Sequence, residues 1–179
     1  MLVKTFGAAV SGIDALVITM EVDLSRGIRF FMVGLPDNAV KESQQRIESA
    51  FRVWGFDWPG RRIVINMAPA DTRKEGSAYD LPLAIGILAG DEQLSAERLS
   101  DYMLMGELSL DGSLKAIKGA LPIALRAREA GFKGLVLPLE NAREAAVVDG
   151  LEVYGAGDLG EVVRFLNGEE GPTKTQVDL

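Results

Sequence analysis

The chain of 179 residues contains neither histidine nor cysteine. These absences exclude a Ser-His-Asp triad, a thiol nucleophile and a Cys/His zinc centre. Disulfides are likewise impossible, so cysteine usage says nothing about the redox compartment. No apolar run approaches the roughly 18–20 residues that span a bilayer. The N-terminal Met1-Leu-Val-Lys-Thr-Phe6 lacks the apolar core of a signal peptide. The expectation is a soluble, cytoplasmic domain with no membrane partner. Hydrophobic content of 47% and charged content of 25% point to neither disorder nor a fibrous class. Carboxylate acid/base pairs, Ser-Lys nucleophiles and phosphate-binding loops stay open as chemistries.

The net charge of −7 is unevenly placed. Residues 1–90 carry ten basic and ten acidic side chains, so the whole excess of acid falls in the second half. Between Lys41 and Lys74, seven basic residues meet four acids. Arg61, Arg62, Arg73 and Lys74 flank one predicted strand and its loop, a candidate contact for a nucleic-acid backbone. Trp54 and Trp58 lie close enough in sequence to stack on bases, although Trp54 also fits the apolar face of its helix. Charge count by itself favours solvated side chains paired with nearby carboxylates, because the excess over that segment is small.

Periodicity predicts strands over 3–10, 16–23 and 29–33, rich in β-branched residues. A helix capped by Asp37 or Asn38 follows and runs to Trp54, where Gly55 stops it. A strand over 62–67 and a polar loop over 68–77 lead to a helix over 81–89 that is apolar nearly all round, as a buried helix is. Asp111-Gly112 predicts a hairpin between strands 102–108 and 113–117. The remainder alternates: helix 120–130, strand 134–138, helix 141–147, strand 151–154 and helix 159–166, the pattern of parallel-sheet units. Residues 168–179 read as a polar linker. The fold class is therefore α/β, and residues 1–167 form one domain.

Two glycine-rich segments invite a nucleotide reading, and both fail on context. Gly155-Ala-Gly-Asp-Leu-Gly160 fits the dinucleotide fingerprint, but no further strand or ribose-binding acid follows it. Asp158 is better placed as a helix cap. Gly168 to Thr175 has Thr173 where a P-loop needs glycine, and two glutamates where backbone amides would cradle phosphate. No cofactor is expected on this chain, and no metal-ligand spacing occurs.

Three segments together resemble one family: Val33-Gly-Leu-Pro-Asp-Asn-Ala-Val-Lys-Glu-Ser43, Arg62-Ile-Val-Ile-Asn-Met-Ala-Pro-Ala-Asp71 and Arg73-Lys-Glu-Gly-Ser-Ala-Tyr-Asp-Leu-Pro82. The family is the N-terminal domain of the Mg-chelatase-like AAA+ ATPases, the ComM/YifB competence proteins, and the resemblance runs over residues 3–166. It implies a Lon-protease-like domain of mixed sheets with packed helices, similar also to the C-terminal domain of the recombination protein RadA. For the full-length protein it implies an AAA+ module in cis beyond the 168–179 linker, ATP and Mg, a homo-hexameric ring and DNA branch migration in natural transformation.

The resemblance also tests the Ser-Lys chemistry. Active Lon-type proteases carry the nucleophile in a Gly-Pro-Ser-Ala-Gly loop, and matching Gly76 to its first glycine puts Ala78 at the nucleophile. The catalytic lysine falls on Leu121. Alanine has no hydroxyl to attack a carbonyl, and leucine no amine to activate one, which implies a pseudoenzyme. A shifted dyad of Ser77 and Lys118 is one alternative; a protein-docking scaffold without DNA contact is the other.

Overall fold

The computed structural model describes residues 1–177, so the last two residues of the 168–179 linker lie outside the described residues. Strands β1 (Leu2–Ser11) and β2 (Asp14–Ser25) form an antiparallel hairpin closed by Gly12-Ile13. β2 continues antiparallel to β4 (Arg62–Ala68), and β4 pairs in parallel with β3 (Phe30–Val33), giving the order β1-β2-β4-β3. Alternation along β2 and β4 turns Ile18, Met20, Val22, Leu24, Ile63, Ile65 and Met67 into the core. Each such side chain contributes about 1.5–3 kcal/mol by leaving water.

Helix α3 (Asp80–Gly90) is buried along its whole length and packs on β1 and β2. Its even apolarity thus has the predicted cause. Gly86 lets it approach closely, since a Cβ there would lie 2.7 Å from the Val22 side chain. A second sheet, all parallel, orders β5 (Tyr102–Leu104), β8 (Gly134–Pro138) and β9 (Glu152–Ala156). Helices α4 (Ala120–Glu129), α5 (Ala142–Ala145) and α6 (Leu159–Leu166) accompany it. The architecture is α/β with several sheets and packed helices, as the alternating pattern implies.

Three local expectations change. The helix predicted to run unbroken to Trp54 breaks at Glu42 into α1 (Asn38–Lys41) and α2 (Ser43–Trp54); Asp37 caps the first piece by accepting from the Val40 N–H at 2.8 Å. The predicted strand 102–108 divides as well. Only β6 (Glu107–Leu108) pairs with β7 (Leu114–Lys115) across the Asp111-Gly112 turn. Tyr102 to Leu104 are buried on both faces, as a parallel strand requires, and join β8 instead. The helix predicted over 141–147 shrinks to the single turn of α5 after a 3-10 turn at Leu139–Asn141.

At the exit of β3 the chain passes directly over β4. Gly34 has φ +104°, and a Cβ there would lie 2.2 Å from the Met67 carbonyl oxygen. Gly34→Ala combines left-handed strain with a backbone clash, and urea denaturation is expected to register a loss of roughly 2–4 kcal/mol.

Candidate functional site

The three family-like segments, separate in sequence, converge. Lys74, fully buried, donates from Nζ to the Gly34 carbonyl at 2.7 Å and to the Pro69 carbonyl, so one ammonium ties all three segments together. The backbones interlock around it: the Lys74 N–H bonds the Leu35 carbonyl at 3.0 Å, and the Asp37 N–H bonds the Lys74 carbonyl at 2.9 Å. Asp37 also accepts from the Gly76 N–H at 3.1 Å. Burial pulls the Lys74 ammonium below the ordinary lysine range. This corrects the sequence expectation for Lys74: a buried ammonium spent on backbone carbonyls does not reach a phosphate.

The segment so anchored forms one wall of a cavity of about 820 Å³. Gly76, Ser77 and Ala78 face the end of the β1–β2 hairpin, with Glu107 and residues 116–118 completing the lining. Ala78 lines this cavity. Leu121 does not line it; it stands 38% exposed in the first turn of α4, its N–H on a Glu144 carboxylate oxygen at 3.2 Å. Lys118 does line it, lying ahead of α4, whose cap is Gly119. Ser77 and Lys118 therefore share a cavity, but the Ser77 hydroxyl donates to Glu107 Oε1. Glu107 is a site residue that sequence reasoning missed. It lies thirty positions from its partner, with no local signal to join them.

A second missed element is the pair Arg46–Asp80. Asp80, 1% exposed at the start of α3, accepts from Arg46 Nε at 2.7 Å, from Arg46 Nη2 at 2.9 Å and from the Leu108 N–H at 3.0 Å. Arg46 Nη2 also reaches the Ala39 carbonyl at 2.8 Å, so the pair binds α1, α2, α3 and β6 into one unit. Burial pushes the Asp80 carboxyl up to about 6, against the opposing pull of the Arg46 guanidinium and the Leu108 amide. The guanidinium itself is raised by its bond to Asp80.

The remaining basic candidates do not converge. Arg61 and Arg62 stand at the start of β4 and Arg73 follows its far end, roughly 20 Å of strand apart. Each is engaged: Arg61 lies 3.8 Å from Asp91, Arg73 lies 3.2 Å from Glu75, and the Arg62 guanidinium sits 5.1 Å from the Phe31 ring centroid. Trp58 packs against Phe30 and Phe51. Trp54, although 37% exposed, donates from Nε1 to the Asp111 carbonyl at 3.1 Å and fills space above Gly112 and Gly160.

The glycine-rich motifs are structural. Gly155 and Gly160 leave room for Ala142 and Trp54, and Asp158 caps α6 by accepting from the Glu161 N–H at 2.8 Å. Residues of the 168–175 segment lie along β9 through the Thr175 N–H to Val153 carbonyl bond of 2.7 Å, an arrangement that does not fit a phosphate cradle. Among the described residues, no group of three or more acidic, histidine or cysteine side chains is placed to hold a metal, and no helix is long and apolar enough to cross a membrane.

Removing Arg46 leaves Asp80 buried without its cation. Arg46→Ala is expected to cost about 3–5 kcal/mol at pH 7. The folded-state pKa of Asp80 then rises further above its unfolded value, so the penalty on the carboxylate is present above that pKa and fades as acidification neutralises it. Denaturation at pH 7 and pH 5 checks this, with the smaller deficit at pH 5.

Residues 20–141 match the family described as subunit ChlI of Mg-chelatase. The chain is 42% identical over 174 residues, 96% of its length, to competence protein ComM of Haemophilus influenzae, of which this covers 34%. It is 42% identical over 162 residues, 90% of its length, to YifB of Escherichia coli, covering 32% of that protein. A weaker similarity, 26% over 124 residues, joins 69% of the chain to 22% of Lon protease 2 of Bacillus subtilis. The chain spans about a third of the length of the ComM and YifB relatives. With its family match over most of its length, the chain belongs to the ChlI, or Mg-chelatase-like, family that includes the ComM and YifB proteins.

Proposed function

We propose that this chain is a non-catalytic Lon-like domain of a ComM-type AAA+ ATPase that acts in DNA branch migration during natural transformation. Its own task is assembly of the ATPase ring. The observation that carries the reading is the cavity: Ala78 lines it, at the position the resemblance to active proteases implies for the nucleophile, and the neighbouring Ser77 hydroxyl is held by the Glu107 carboxylate rather than by an amine. A Ser-Lys dyad needs its two atoms roughly 2.6–3.2 Å apart, and among the described residues the Ser77 hydroxyl bonds Glu107, with no hydrogen bond to Lys118.

Residues 1–167 are the domain, and 168–179 lead toward an AAA+ module joined in cis. That module supplies the P-loop, ATP and Mg, and the whole protein works as a cytoplasmic homo-hexamer. Between the two tasks open to this domain, the scattered and engaged arginines favour assembly over DNA contact.

Two measurements test the proposal. Incubation with a fluorophosphonate probe is expected to leave Ser77 unlabelled; labelling that disappears in Ser77→Ala would establish a shifted nucleophile and sink the non-catalytic reading. In the full-length protein, the triple variant Arg61→Ala, Arg62→Ala, Arg73→Ala is expected to bind DNA as the wild type does at low salt. Loss of affinity with a shallower salt slope would return DNA contact to this domain.

A further inference from the structure

In the second sheet β9 is an outer strand, paired along one side with β8. Such a strand leaves a row of backbone N–H and C=O groups open to any extended chain that reaches it. Here the same chain comes back to it. After α6 ends, Gly168 turns the backbone at φ +80°. Gly171 then passes so close to α6 that a Cβ there would lie 3.2 Å from the Phe165 nitrogen and Cα. Beyond it the chain runs antiparallel to β9, with Lys174 opposite Tyr154 and the Thr175 N–H bonded to the Val153 carbonyl at 2.7 Å.

Little else holds this returning segment. Among the described residues, the Thr175 bond is the only backbone hydrogen bond that joins residues 170–177 to another element. No salt bridge involves them. Pro172 has no N–H to give, and Glu170, Thr173, Lys174 and Gln176 are exposed. A segment with so few buried contacts opens locally at far lower free energy than the core. The edge beneath is firmly built by comparison. Val153 and Gly155 are buried, and the Tyr154 ring packs on Phe165, which meets Tyr102, with centroids 4.5 Å and 5.0 Å apart. None of these contacts involves residues 172–176, so β9 keeps its form with or without them.

We infer that residues 171–176 are a releasable strap: docked, they add an outer strand to β9 and hold the outgoing chain against the domain; released, they lengthen the tether that leaves α6. Residues 168–175 are eight residues, which span roughly 25 Å when extended, so one chain has two tether lengths. With the strap docked, the free chain starts beside Val153; with it undocked, the free chain starts at the end of α6. A body joined beyond the strap gains that reach without strain in either fold. That this body is an AAA+ module rests on the proposed function, whereas docking and release belong to this chain alone.

The test uses the 179-residue chain, labelled with nitrogen-15, and amide hydrogen exchange read by NMR. The Thr175 amide is expected to exchange at least about tenfold more slowly than in a free peptide of residues 168–179, and far faster than the core amides of β8. Thr175→Pro deletes the N–H that reaches Val153 and is expected to leave residues 170–177 as mobile as the free peptide, with shifts confined to β9 and its surroundings. Release is tested by a lock. The register that sets Lys174 opposite Tyr154 sets Gln176 opposite Glu152, and the chain has no cysteine of its own. Glu152→Cys with Gln176→Cys can therefore form one disulfide only, and oxidation is expected to slow Thr175 exchange at least about tenfold further. Free-peptide exchange at Thr175, unchanged order in Thr175→Pro, or failure of the disulfide to form overturns docking. Equal exchange in the oxidised and reduced forms overturns release. Each readout comes from this chain by itself, so either result leaves the ring-assembly reading to its own measurements.

Discussion

A single buried ammonium holds the candidate site in shape. Lys74 lies where β3, the end of β4 and the loop before α3 meet, and it is satisfied by the carbonyls of Gly34 and Pro69 rather than by a carboxylate. A buried cation is tolerated only when its donors are matched, so these carbonyls must be presented in one arrangement. That requirement fixes the path of residues 33–37 and 69–76, and with it the position of Ser77 and Ala78 in the cavity wall.

The Arg46–Asp80 pair acts one layer deeper. It joins the capped helix α1, the long helix α2, the buried helix α3 and the small hairpin strand β6. Desolvation works against the carboxylate, and the two-pronged guanidinium with the Leu108 amide offsets that cost only as a set. Lys74 shapes one wall of the cavity and Asp80 steadies the hairpin that carries Glu107. The cleft therefore keeps a defined geometry, with Ala78 in its wall.

Identical formal charges do different physical work here. Lys74 is internal structure, Arg46 is a helix tie, Arg62 rests on an aromatic ring, and Arg61 and Arg73 lie beside surface carboxylates. A linear count of basic residues merges these roles.

Much of this was readable without coordinates. Alternation along β1, β2 and β4, the uniform apolarity of α3, and the stops at Gly55 and Gly131 are local, since each depends on residues within a turn or two of one another. So are Asp37 and Asp158 as caps. Absence of histidine and cysteine narrowed the chemistry by itself. What lay beyond the sequence is non-local. The division of residues 102–108 between two sheets depends on β8, some thirty residues downstream. The burial of Lys74, the capture of Ser77 by Glu107, and the presence of Lys118 rather than Leu121 at the cavity depend on which loops meet. Periodicity records how a residue faces its own element; only the packing of elements decides which polar groups meet, and hence whether a lysine is a surface cation or the pin of a site.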